Sequence, residues 1–320
     1  MGRTTPKSAV EPPARLVRFE ATDGVALSGL LFEPEKRKRR AAIFVHGTGG
    51  ASVFDSTRTN ALARVMTAQG IAWFPFDNRG ANVVRRLKRR ARRPRRASAA
   101  KGGATLGGMA FELIRDCVAD IDGAVRELRR RGYRDLYLIG HSTGANKVAV
   151  YDSRKPRNPI RRYVLLAGGD DTGLLYAQLG SARFHRAIVT ARAKIKAKKG
   201  DEIVPDSLTP LPPMMSWRSF YDIANPDGDY NVFPFLEALG DVRLSRKPRF
   251  RHVRGIRKPS LILYGDSDEY CYGDVSACLA VLAQAVRERP NIEIAMMQNA
   301  DHGFSGHEEE LGATIAGWLG

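Results

Sequence analysis

Five residues, Gly140-His141-Ser142-Thr143-Gly144, sit between an apolar run, Leu136-Tyr137-Leu138-Ile139, and a helix-compatible stretch at 145–151. The spacing predicts a strand, a sharp turn and a helix. Glycines two before and two after the serine let the backbone bend so that the hydroxyl stands clear of the sheet edge. Ser142 is therefore the first candidate for chemistry. An ordinary glycine-rich connection has the same local pattern, so the assignment depends on what the rest of the chain supplies.

Short apolar runs suited to buried strands recur at 41–45, 71–76, 136–139, 163–166, 261–264 and 292–297, with helical patterns between most of them. Residues 15–20 and 25–32 read as an opening hairpin around Asp23-Gly24. Helices are predicted at 56–69, 109–131, 275–289 and 307–319; in the second, Ile114, Val118, Ile121, Val125 and Leu128 recur at helical spacing and Gly132 supplies a stop. This order predicts an α/β fold with a mostly parallel central sheet flanked by helices. Between 170 and 258 the alternation fails, and prolines and aromatics replace it. A structureless loop of that length is implausible inside a compact domain. The stretch reads as a cap or lid insertion over the carboxyl edge of the sheet, where ligands bind in open α/β folds. Residues 15–169 and 259–320 then form the core, and 1–14 a flexible polar tail unlike a secretory signal. No apolar run approaches the roughly 20 residues that span a bilayer, so the expected location is cytoplasmic.

The net charge is +18, from 52 Lys and Arg against 34 Asp and Glu. Residues 83–101 hold ten of the basic residues and no acidic one, and read as a solvated basic loop within the core. That segment also lacks aromatics on which bases could stack, so nonspecific attraction to polyanions is expected and specific nucleic-acid recognition is not. Cys117, Cys271 and Cys278 lack metal-ligand spacing with histidines, which argues against a metal site or a disulfide framework. Cys271 stays as a minor alternative nucleophile.

A serine nucleophile needs a base, the base needs an orienting acid, and the developing oxyanion needs fixed donors. Asp268 lies just past the run 261–264, and His302 lies past the run ending at Met297. The order Ser, Asp, His is one of three known chain orders for such a set. Asp266, and Asp170 and Asp171 after the run 163–166, compete for the acid. His307 competes for the base, although it opens the last helix among Glu308, Glu309 and Glu310. His46 and His141 read as structural, and His185 and His252 as surface residues in basic stretches. The loop His46-Gly47-Thr48-Gly49-Gly50 fits neither a phosphate-binding nor a dinucleotide-binding glycine pattern.

With these motifs in this order, the core resembles an α/β-hydrolase. Within that superfamily, residues 140–147, Phe76-Asp77-Asn78-Arg79-Gly80 and the aromatic stretch around Ser216-Trp217-Arg218 are similar to a hydrolase group that includes fungal siderophore esterases. The resemblance implies Asp268 rather than Asp266 as the acid, and backbone amides of Thr48 and Thr143 as oxyanion donors, each contributing about 3 kcal/mol to the transition state. It further implies a cofactor-independent serine hydrolase cleaving a small-molecule carboxylic ester through an acyl-enzyme, with Trp217 and Tyr221 lining the substrate pocket. The basic loops would steer an anionic ester. Thioesterase or amidase chemistry uses the same triad. The contrasting reading is a non-catalytic module that binds acidic partners through Arg85 to Arg96.

Overall fold

Strands buried on both faces of a parallel sheet are apolar along most of their length, and the inner strands of this chain follow that pattern from Ala41 to Val45, Ala72 to Phe76, Leu136 to Ile139, Tyr163 to Leu166 and Leu261 to Tyr264. The strands are β1 (Ala14–Glu20), β2 (Ala26–Phe32), β3 (Arg40–Val45), β4 (Ala72–Asp77), β5 (Arg85–Arg89), β6 (Gly103–Gly107), β7 (Asp135–His141), β8 (Ile160–Leu166), β9 (Ser260–Gly265) and β10 (Ile292–Met297). Eight of them form one sheet in the order β1-β2-β4-β3-β7-β8-β9-β10. β1 and β2 are antiparallel, as is β2 to β4, and every later pair is parallel. The computed structural model describes residues 12–36, 39–48, 51–54, 57–90, 103–208, 214–240 and 242–320. Most of the expected N-terminal tail, the basic run beyond Arg90, and Gly49 and Gly50 lie outside these residues.

Helices cover both faces: α1 (Thr57–Ala68), α2 (Cys117–Arg130), α3 (Thr143–Arg154), α4 (Asp171–Leu179), α5 (Ser181–Lys196), α6 (Trp217–Ala224), α7 (Phe235–Leu239), α8 (Arg251–Gly255), α9 (Val275–Val286) and α10 (Glu308–Leu319). α2 buries Cys117, Ile121, Ala124 and Leu128 along one stripe, and truncating a buried leucine of this kind costs about 2–5 kcal/mol. Among the described residues no helix is long and apolar enough to cross a membrane.

Two local expectations are corrected. The helix expected from 109 begins only at Cys117, after a short 3₁₀ turn. The backbone before it bonds elsewhere: Ala110 O accepts from Ser216 N, Met109 O accepts from the Ser219 hydroxyl, and Ile114 N donates to Asp222. Those partners lie about 100 residues away, so helical periodicity could not report them. The first residues of the basic stretch are likewise not a loop. β5 pairs antiparallel with β6, Leu87 turns inward, and Arg90 N donates to Gly24 O, which docks the hairpin on the β1–β2 turn. One buried leucine among cations is too short a signal for a strand.

The stretch between β8 and β9 carries α4 to α8, and its anchor is testable. Burial pushes the Asp222 carboxyl up to about 6. A carboxyl raised above its unfolded value binds its proton in the folded state first, so its burial weakens stability progressively as pH rises from about 4 to above 6. Asp222→Asn keeps an acceptor for Ile114 N and removes the charge. Denaturant unfolding should find the variant more stable by on the order of 1–2 kcal/mol at pH 7, with the gap shrinking toward pH 5. A gap independent of pH would contradict this.

Candidate active site

At the end of β7 the chain reverses within one residue. Ser142 has φ 58° and ψ −130°, a conformation most side chains avoid, and it caps α3. The flanking glycines make the turn sterically possible. A Cβ on Gly140 would lie 2.1 Å from the Gly144 carbonyl oxygen, and one on Gly144 would lie 2.1 Å from the Val45 carbonyl oxygen. Each contact is with rigid backbone. The same crowding brings the loop after β3 against the serine, where a Cβ on Gly47 would lie 2.8 Å from Ser142 Cβ and 3.2 Å from its Oγ.

His302 reaches this hydroxyl from the β10–α10 connection. Its Nε2 lies 3.0 Å from Ser142 Oγ, and its Nδ1 lies 3.0 Å from both carboxylate oxygens of Asp268. An ionised carboxylate only accepts, so Nδ1 carries the proton and the Nε2 lone pair faces the serine. Asp268 is 3% exposed and also accepts from Tyr270 N. The Tyr270 ring stands edge-on to the imidazole at 4.6 Å, and Glu269 accepts from His302 N. Water therefore has little access to the Asp268–His302 contact.

The competing residues are engaged elsewhere. Asp266 takes backbone hydrogen bonds from Asn299 and Ala300 and the Ser267 hydroxyl. Asp170 accepts from Gly173 N, Leu236 N and the Tyr272 hydroxyl. Asp171 reaches Thr143 Oγ1 at 3.3 Å, and burial raises its carboxyl to about 6. His307 contacts Glu310 at the start of α10. The hydrogen bond that the Cys271 thiol makes to Cys278, with burial, pushes that thiol far above its ordinary range, which leaves it a poor nucleophile.

Thr48 is partly exposed beside Gly47, and Thr143 is fully buried with its side chain joined to Asp171 and to the Tyr230 hydroxyl. Trp217 is buried edge-on to Phe220, and Tyr221 carries Arg192 over its ring and accepts from that guanidinium. Among the described residues no group of three His, Cys, Asp or Glu side chains could hold a metal ion.

Several polar side chains near the elbow have no local sequence signal. Lys147, fully buried on α3, pairs with Glu112 at 2.7 Å and reaches Asn78 Oδ1 at 3.2 Å. Removing one partner would strand a buried charge. His46 is held neutral, pushed down to about 3 by burial and by Lys147. Asn78 N donates to its Nε2, so its Nδ1–H donates to Gly47 O at 2.7 Å. This fixes the loop that touches Ser142. His252, expected on the surface, is instead buried with Nε2 3.6 Å from Asp229.

The glycine geometry predicts unequal effects of one substitution. Gly144→Ala should lower the unfolding free energy by about 3 kcal/mol, because backbone must move. Gly317→Ala in α10, where nothing lies within 4 Å, should stabilise by about 0.5–1 kcal/mol. Denaturant titration of both variants decides, and equal effects would contradict the steric account.

No curated protein matches this sequence. Among solved structures, the chain is similar to the α/β hydrolase GrgF from Penicillium sp. sh18, at 14% identity over 96% of this chain and 98% of that one, with a TM-score of 0.63. Est1E from Butyrivibrio proteoclasticus, solved with ferulic acid bound, is 14% identical over 95% and 98%, with a TM-score of 0.60. A monoglyceride lipase variant from Saccharomyces cerevisiae, solved with a substrate analogue, is 14% identical over 100% and 98%, with a TM-score of 0.59. At such identity the likeness establishes the fold, which is that of the α/β-hydrolases. The family described as "Protein of unknown function (DUF1749)" matches residues 105–316, a span that includes Ser142, Asp268 and His302, and this chain belongs to it.

Proposed function

We propose that this protein is a serine hydrolase acting on carboxylic esters through an acyl-enzyme on Ser142. The observation that carries the reading is the unbroken contact from Ser142 Oγ through His302 to Asp268, each step at 3.0 Å. As Ser142 Oγ attacks the ester carbonyl, His302 Nε2 takes its proton, and Asp268 holds the ring and stabilises the imidazolium. The carbonyl oxygen becomes an oxyanion, for which the backbone amides of Thr48 and Thr143 are the proposed donors. His302 then gives its proton to the departing alkoxide. Water, deprotonated by the same nitrogen, attacks the acyl-enzyme, releases the acid and restores Ser142.

Residues 170–258 act in this reading as a cap over the core of 15–169 and 259–320. Asp171 and Tyr230 support it, since both belong to this stretch and both hydrogen-bond to the Thr143 side chain next to the nucleophile. Trp217 and Tyr221 remain the proposed pocket residues from the same stretch. Thioesters are a natural extension, because the attack and the oxyanion are the same.

Hydrolysis of p-nitrophenyl acetate tests the assignment. Ser142→Ala and His302→Ala should lower kcat by at least about 10³-fold, and Asp268→Asn by about 10³- to 10⁴-fold, all with folded spectra. Turnover that survives in Ser142→Ala would overturn it.

A further inference from the structure

His141 immediately precedes Ser142, and both ring nitrogens of its half-buried side chain are engaged within the protein. Its Nε2 lies 2.8 Å from the carbonyl oxygen of His302, and its Nδ1 lies 3.3 Å from a terminal nitrogen of Arg58 on α1. Its ring packs against the His302 ring at 5.2 Å and against Phe304 at 6.3 Å. A guanidinium can only donate. Arg58 therefore occupies the Nδ1 lone pair, which leaves the single proton of a neutral His141 on Nε2. A carbonyl oxygen only accepts, so that proton is the one the His302 backbone requires.

Building on the hydrolase reading, we propose that Arg58 and His141 are positioning residues: Arg58 selects the Nε2–H tautomer of His141, and His141 then clamps the His302 backbone at the right distance from Ser142. The chain of contacts joins three elements that are far apart in sequence, α1, the last residue of β7 and the connection after β10. His141 is covalently next to Ser142, so the clamp ties nucleophile and base to one another through a single side chain. Its failure mode is specific. With the proton on Nδ1, the Nε2 lone pair would face the His302 carbonyl lone pairs, and the loop would have to retreat. Burial and the nearby guanidinium hold His141 neutral, its pKa pushed down to about 3, so a doubly protonated ring does not blur the selection.

Two measurements on the full chain test the clamp. Long-range proton–nitrogen spectra at pH 7 should show His141 as the Nε2–H tautomer in the wild type, and a mixture or the Nδ1–H form in Arg58→Met. In p-nitrophenyl acetate hydrolysis, Arg58→Met and His141→Leu should lower kcat by about 10- to 100-fold with KM within about twofold. His141→Gln, whose amide can donate to His302 O while its oxygen accepts from Arg58, should recover most of the loss. A wild-type Nδ1–H tautomer, or equal kcat in His141→Leu and His141→Gln, would overturn the proposal. The tautomer is read without turnover, so an inert wild type with an Arg58-dependent Nε2–H form would contradict the hydrolase reading and not the clamp.

Discussion

The strained turn at Ser142 is the constraint on which the rest of the site depends. Its positive φ holds only because two glycines allow β7, α3 and the end of β3 to approach at backbone contact. β7 is an inner strand, hydrogen-bonded to β3 and β8, so the turn is anchored on a part of the sheet that cannot shift to relieve it. The next strands outward, β9 and β10, deliver Asp268 and His302 from their carboxyl ends. Parallel strands bring all three side chains to one edge, and the alternation of strands and helices in the chain is what produces that edge.

A second cost is borne under the elbow. Lys147 and Glu112 are both buried, and such a pair seldom stabilises a fold more than apolar packing in the same volume. The carboxyls of Asp170 and Asp171, each pushed up to about 6 by burial, add to that cost near neutral pH. Polar groups held at a price in stability are common where a protein must keep a site in one arrangement. Here they surround the loop at Gly47, the first turn of α3 and the start of α4.

Much of this was legible in the sequence, for identifiable physical reasons. All eight strands of the main sheet coincide with expected segments: the inner parallel strands leave an apolar imprint that needs no knowledge of partners, and β1 and β2 are marked by the turn at Asp23-Gly24 between them. The glycine spacing around Ser142 was equally legible, since steric exclusion by backbone is a local property. What could not be read depends on contacts across the chain. Arg58 is 83 residues from His141, and His141 is 161 residues from the carbonyl it meets. The first turn of the expected helix at 109 is displaced by Ser216, Ser219 and Asp222 from a distant segment. The β5–β6 hairpin went unread because its cations mask a single inward leucine. His252 misled in the opposite sense, with basic neighbours concealing a buried ring.

The central claim is that this fold activates one serine, and intact mass after reaction with a fluorophosphonate tests it most directly. The account predicts a single adduct on the wild type, mapped to Ser142 and absent from Ser142→Ala. A folded wild type that takes no adduct, or one that takes it on another residue, would contradict it.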